Sequence, residues 1–350
     1  MGEYNDTDIY VDDDEISLIG DTESENDEIS LISDTDGSDG EYSELGEDLY
    51  LLGKSMYELG KYAKARPNLE KALKYGKKEA AYYLGELYYE GLETERDYVR
   101  AYEYYRRAVN TGIADVHFKL GRIFMNGEGK EKDYAGAMEY YNNAVALGSD
   151  KALTNIGWIY EQGEDYAKAT EYYKKAVNKG RQTAMCKLAD MYYWGRGVEE
   201  SYAEAFRYYS MAEGVETTER LCRLGCMYHN GQGTEQNYAK AHQYYGRVLE
   251  LAQNDDKYKR AALNNLGIMY ENGEGCEKNI SKAMTYYSAS AVLDNDVASN
   301  NLGICYEYGK GGTAKNMYLA YYWYKKAADL GNENAKKKLA DSKWNQYKLF

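Results

Sequence analysis

A Leu-Gly step recurs along the chain and limits what it can fold into. It appears, with small variations, at Leu52-Gly53, Leu84-Gly85, Leu120-Gly121, Ile156-Gly157, Leu188-Ala189, Leu224-Gly225, Leu266-Gly267 and Leu302-Gly303, and Leu339-Ala340 opens a truncated ninth copy. The intervals are 32, 36, 36, 32, 36, 42, 36 and 37 residues. A period of that size means stacked supersecondary units, each too small to bury its apolar face alone. Four residues past each leucine or isoleucine stands Met56, Tyr88, Phe124, Tyr160, Tyr192, Tyr228, Tyr270 or Tyr306. From the second copy on, a glycine follows three residues later (Gly91, Gly127, Gly163 and their equivalents), the residue that accepts the left-handed conformation at a helix end. The second half of each unit runs from an alanine to an aromatic pair, as in Ala101 to Tyr104-Tyr105 and Ala320 to Trp323-Tyr324. This pattern places tyrosine systematically, in a chain with 42 tyrosines beside four phenylalanines. The single proline, Pro67, suits long runs of helix.

The expectation is an all-α solenoid of about eight helical hairpins with a C-terminal capping helix. The repeats fall at roughly 48–79, 80–115, 116–151, 152–183, 184–219, 220–256, 262–297 and 298–334, with a polar cap over 335–350. The 42-residue interval places a longer second helix or loop near Leu251–Tyr258. Residues 1–45 are different material, rich in Asp, Glu, Ser and Gly and expected to be disordered. Residues 1–48 hold 19 acids and no Lys or Arg; the remainder carries 39 acids against 43 bases, so the formal charge of −15 belongs to the tail.

The register A-x-x-x-L-G-x-x-Y-x-x-G-x-G followed by K-A-x-x-Y-Y-x-x-A, carried by residues 261–291 as AALNNLGIMYENGEGCEKNISKAMTYYSASA, resembles the Sel-1-like repeat of the tetratricopeptide superfamily. The two 32-residue copies lack the Gly-x-Gly loop and look closer to plain tetratricopeptide hairpins. The resemblance implies a protein-binding scaffold or adaptor. In the related tetratricopeptide fold an asparagine before the Leu-Gly step faces the concave groove and bonds peptide backbone. Asn155, Asn265 and Asn301 match that position, whereas Lys119, Lys187 and Arg223 replace it elsewhere and, with Arg122, would form a positive strip.

The tail holds a duplication, Asp14-Glu15-Ile16-Ser17-Leu18-Ile19 and Asp27-Glu28-Ile29-Ser30-Leu31-Ile32. Ile16, Leu18, Ile19, Ile29, Leu31 and Ile32 flanked by acids resemble the SUMO-interacting motif, an extended strand that adds to a sheet edge. Two copies offer avidity; the alternative is a duplicated, solvated acidic tail. SUMO or SUMO-modified proteins are therefore candidate partners.

Other chemistries find little support in the sequence. Cys222, Cys226 and His229 share one helix face at i, i+4 and i+7, but neighbouring helices stand roughly 8–10 Å apart, which strains a zinc site, and free cysteine is commonly a small core residue. No metal or cofactor is expected. The tyrosines repeat at packing positions, so nucleic-acid binding is not expected. The Gly-x-Gly pairs read as turns, and His117, His229 and His242 have no evident nucleophile beside them. Some bacterial members of the resembled family have been assigned β-lactam hydrolysis, but no Ser-x-x-Lys motif is present. An enzyme or enzyme-regulatory subunit is thus the remote alternative, and an effector or viral protein of the same fold capturing host proteins the nearer one. No apolar run reaches bilayer length, the N-terminus is acidic where a secretory leader is basic, and five cysteines lack paired spacing. These features point to an intracellular protein, cytoplasmic or nuclear.

Overall fold

In a computed structural model, residues 39–253 and 257–347 are described, and among them lie seventeen α-helices. No helix of these residues is long and apolar enough to cross a membrane. The chain divides into two compact units, residues 1–165 and 166–350. The first holds α1 (Asp39–Glu58), α2 (Tyr62–Lys74), α3 (Ala80–Glu90), α4 (Tyr98–Ala108), α5 (Ala114–Asn126), α6 (Tyr134–Ala146) and α7 (Ala152–Gln162). The second holds α8 (Tyr166–Asn178), α9 (Gln182–Trp194), α10 (Tyr202–Met211), α11 (Thr218–Asn230), α12 (Tyr238–Leu251), α13 (Lys257–Asn272), α14 (Ile280–Val292), α15 (Asp296–Tyr308), α16 (Met317–Asp329) and α17 (Glu333–Leu339). Within each unit odd- and even-numbered helices pair as hairpins, and each hairpin packs on the next. The helical solenoid read from the sequence is therefore the fold.

Each hairpin is closed by the residues that mark its register. Gly91, Gly127, Gly195, Gly231 and Gly309 end the first helices in the left-handed region, with φ between 62° and 76°. The fourth copy departs: Gly163 has φ −85°, and Glu164 adopts φ +59° instead. The second glycine of each Gly-x-Gly has a steric reason. A Cβ on Gly129 would stand 2.9 Å from the Tyr98 carbonyl carbon, and one on Gly197 or Gly233 would meet the Tyr166 or Tyr202 carbonyl oxygen. The loop thus rests on the first turn of the preceding hairpin's second helix.

Asp97, Ser201, Asn237, Asn279 and Asn316 cap their second helices by accepting from the backbone N–H three residues on, and Asp133 does so from Ala135. Such caps are worth about 1 kcal/mol. Asn279→Ala is expected to cost about that much in urea unfolding, and Asn279→Asp a few tenths at most.

The structure differs from expectation at both described ends. Helix α1 begins at Asp39, not near residue 46, because Tyr42 stacks on Tyr75 at 5.7 Å and Gly46 fits against the same residue. The C-terminal cap is less polar than its lysines suggest. After α17 a 3₁₀ turn over Ser342–Tyr347 carries Trp344 into full burial, 5.4 Å from the Tyr324 ring. The 42-residue interval lengthens mainly the first helix of the next hairpin rather than a second helix: α13 has 16 residues where α11 and α15 have 13, and α12 has 14. The added turn of α13 sends the Tyr258 hydroxyl to Glu219 on α11.

Candidate functional site

The aromatic pair performs two separate tasks. Its first ring stacks inside its own hairpin on the aromatic residue four past the Leu-Gly leucine: Tyr104 on Tyr88 at 5.5 Å, Tyr244 on Tyr228 at 5.6 Å, Tyr286 on Tyr270 at 5.4 Å, all within 14° of parallel. The cation before the signature alanine covers that stack, as Arg100 does Tyr88 and Lys282 does Tyr270. The second ring is buried over the Leu-Gly glycine. A Cβ on Gly85, Gly121, Gly225, Gly267 or Gly303 would stand 2.5–2.7 Å from the ring of Tyr105, Tyr141, Tyr245, Tyr287 or Tyr324. Leucine fills the core beside a residue that must leave room for a phenol.

A buried phenol needs a partner for its hydroxyl. It finds one on the first helix of its own hairpin, two or five residues past the leucine, positions one turn apart on one face. Tyr105 donates to Glu86, Tyr209 to Asp190, Tyr287 to Glu271 at 2.8 Å and Tyr324 to Glu307 at 2.7 Å. Tyr141 and Tyr245 use sulfur instead, Met125 Sδ at 3.5 Å and Cys226 Sγ at 3.4 Å. Where the acceptor is a carboxylate, the following repeat brings a cation. Lys119 Nζ lies 3.1 Å from Glu86, Arg223 Nε 4.0 Å from Asp190, Lys310 Nζ 2.7 Å from Glu271 and Lys338 Nζ 2.9 Å from Glu307. Beside the two sulfur acceptors the following hairpin brings asparagine: Asn155 Nδ2 donates to Tyr141 Oη and Asn265 Nδ2 to Tyr245 Oη, both at 3.1 Å.

This arrangement places the residues singled out in the sequence. Lys119 is held by Glu86 and by Glu90 at 3.0 Å, Asn301 donates to Asn264 at 3.3 Å, and Lys187 has a partner of its own and lies near Asp190. Asn155, Asn265 and Lys119 thus stitch one hairpin to the previous one through its buried tyrosine. Arg122 lies over the Tyr89 ring at 5.4 Å, with Glu128 and Glu90 near enough to act on its charge. Arg223 is flanked by Tyr193 at 5.2 Å and Trp194 at 5.0 Å. The tail motif residues Ile16, Leu18, Ile19, Ile29, Leu31 and Ile32 lie outside the described residues.

Cys222, Cys226 and His229 share the α11 face as their spacing implies, but His229 Nε2 is engaged with Glu274 Oε2 at 2.8 Å. Among the described residues no group of three or more His, Cys, Asp or Glu side chains is arranged to hold a metal.

One row of residues escaped the sequence reading. The position just before the helix-stopping glycine is exposed throughout the second unit: Trp194, Asn230, Asn272 and Tyr308. Trp194 and Tyr308 keep about half or more of their surface in water, at 49% and 62%. Two large rings at a register position otherwise held by polar side chains were the available signal.

The fold and this face define a helical-hairpin repeat protein whose first helices present a polar row with aromatic ends. Sel1 repeat models match residues 78–112, 114–149, 182–213, 221–247, 260–295 and 297–332, and tetratricopeptide repeat models match 49–75 and 150–178. The chain belongs to the Sel1 repeat family. The two tetratricopeptide matches fall on the copies with 32-residue intervals, which lack the Gly-x-Gly loop. A solved protective antigen of uropathogenic Escherichia coli with an SLR fold is 26% identical, with TM-score 0.72 over 89% of this chain and 68% of its own. A Sel1 repeat protein from Oxalobacter formigenes is 24% identical, with TM-score 0.55 over 86% and 89%, and supports the fold alone. No curated protein matches the chain. The Sel1 and tetratricopeptide fold commonly serves as a protein–protein interaction scaffold and is typically non-catalytic.

Proposed function

We propose that the chain is a non-catalytic scaffold that binds a protein segment along the first-helix face of its second unit. The observation carrying this reading is the exposed row Trp194, Asn230, Asn272 and Tyr308, set once per hairpin in α9, α11, α13 and α15. Aromatic anchors at the ends and amides between them suit an extended peptide, whose backbone offers a donor and an acceptor at every residue. Arg223, beside Trp194, favours an acidic ligand. The duplicated Ile-Ser-Leu-Ile motifs of the tail support a second contact, strand addition to SUMO or a SUMO-modified protein. The setting is intracellular, where five free thiols persist.

Pull-down with quantitative mass spectrometry tests the face. Trp194→Ala combined with Tyr308→Ala is expected to release captured proteins about tenfold or more, with unchanged helicity. Retention of the same proteins by this variant, with release only on deleting residues 1–38, would move binding to the tail. Retention by both variants would sink the reading. For the tail, ¹⁵N spectra of the full chain titrated with SUMO are expected to shift the Ile16–Ile19 and Ile29–Ile32 amides.

A further inference from the structure

The slot that receives the buried tyrosine's hydroxyl has unequal occupants. Two residues past the Leu-Gly leucine stand Glu86 in α3, Asp190 in α9 and Cys226 in α11, and each accepts the hydroxyl of its own hairpin's tyrosine: Tyr105, Tyr209 and Tyr245. The repeat therefore builds an anion-accepting position, filled by a carboxylate in two hairpins and by sulfur in a third. We propose that Cys226 is a reactive thiolate and a modification site for small, soft electrophiles.

The surroundings of Cys226 Sγ are donors. Tyr245 Oη on α12 lies 3.4 Å away, Asn265 Nδ2 on α13 lies 3.6 Å away, and the Cys222 thiol one turn back on α11 hydrogen-bonds to it. The positive charge of Arg223 and the His229 imidazole on the same helix act in the same direction, while Tyr193 of α9 faces the sulfur and stays neutral, held up by burial. The Cys222 hydrogen bond does most to lower the Cys226 thiol, to about 6; burial opposes it and the Tyr245 hydroxyl adds to it. Three other thiols titrate in the opposite direction. Burial pushes Cys186 up to about 12 and Cys305 to about 11, and it raises Cys276 as well. Cys226 is also only partly buried, whereas Cys186, Cys222 and Cys305 are buried. It alone combines access with an ionised form near neutrality, the combination that makes a cysteine reactive.

Iodoacetamide reports the chemistry directly. The Cys226 proton passes to solvent, the sulfur lone pair forms the S–C bond as the C–I bond breaks, and iodide leaves. With the folded full chain and site-resolved mass spectrometry, Cys226 is expected to be labelled about tenfold faster than any other cysteine at about pH 6, after allowing for the lower nucleophilicity of a low-pKa thiolate. Its rate should follow a midpoint near 6. Tyr245→Phe keeps the core ring and removes one donor; Asn265→Leu keeps bulk and removes another. Each is expected to raise the midpoint by about one unit, and Tyr287→Phe, the same change in another hairpin, should leave it in place. Asn265→Leu carries the comparison if Tyr245→Phe lowers helicity. A midpoint near the ordinary thiol value of about 8.5, slower labelling than Cys276, or a midpoint unmoved by both variants would overturn the proposal.

Discussion

Tyr287→Ala is expected to destabilise the array by about 3–5 kcal/mol, the range for deleting a fully buried large aromatic side chain. Its ring is 1% exposed and lies over Gly267, which has no side chain to relax into the space left behind. Tyr287→Phe removes only the hydroxyl, and Glu271 keeps Lys310 at 2.7 Å, so about 1 kcal/mol is the expected cost. Gly267→Val tests the same fit from the other side: the added Cβ and its two methyls meet the ring and force it off its rotamer, for about 1–3 kcal/mol. Because each repeat touches only its neighbours, the loss should concentrate in α13–α16. Hydrogen exchange resolved by segment is the measurement. Equal losses for Ala and Phe, or a loss spread evenly over the chain, would contradict the account of the Leu-Gly step.

The periodicity that reveals the fold also explains which parts of the site it hides. The Leu-Gly step, the aromatic pair and the helix-stopping glycines are local features, and each can be read within one copy. Even the two copies that match tetratricopeptide models were visible in their intervals. The groove residues are another matter. An asparagine, lysine or arginine before the leucine looks free when viewed along its own helix. At four of these positions its role follows the acceptor that the preceding hairpin places beneath its tyrosine, whereas Asn301 follows the carboxylate Glu271, leaves the cation to Lys310 and bonds Asn264. Asn155 and Asn265 follow sulfur acceptors, Met125 and Cys226, whereas Lys119 and Arg223 follow carboxylates, Glu86 and Asp190. That correspondence links residues 30 or more positions apart, and it becomes apparent only once the tyrosine hydroxyl joins them. Trp194 and Tyr308 were missed for a related reason: among 42 tyrosines and four tryptophans, most of them in packing, two exposed rings do not stand out.

Asp190 and Glu307 accept the same kind of hydroxyl, yet the structure compensates them unequally, and opposite pH responses follow. Burial pushes Glu307 up, but Lys338 at 2.9 Å, the Tyr324 hydroxyl and Lys343 at 3.3 Å outweigh it, and its carboxyl titrates below the usual range. Asp190 has Arg223 only at 4.0 Å, and that guanidinium's buried Nε makes no hydrogen bond. Burial, reinforced by Glu219, raises Asp190 to about 6 against the opposing pull of Lys187, Arg223 and the Tyr209 hydroxyl. A carboxyl raised in the folded state contributes stability that is fully present below its unfolded value of about 3.9 and lost as pH rises through 6. Asp190→Asn removes that loss. Its amide oxygen can still accept from Tyr209, and the repulsion from Glu219 disappears. The variant is therefore expected to gain about 2–3 kcal/mol over the parent at pH 8, falling towards zero by about pH 4. For Glu307 the sign reverses, because a lowered carboxyl stabilises above its unfolded value and loses that contribution as pH falls through the folded one. Glu307→Gln should cost about 2–3 kcal/mol at neutral pH, with the deficit shrinking in acid. Urea unfolding followed by circular dichroism at about pH 4, 6 and 8 separates the two. A loss at pH 8 for Asp190→Asn as large as that for Glu307→Gln would mean that Arg223 compensates Asp190 fully despite its distance, and that the two acids are equivalent members of one ladder.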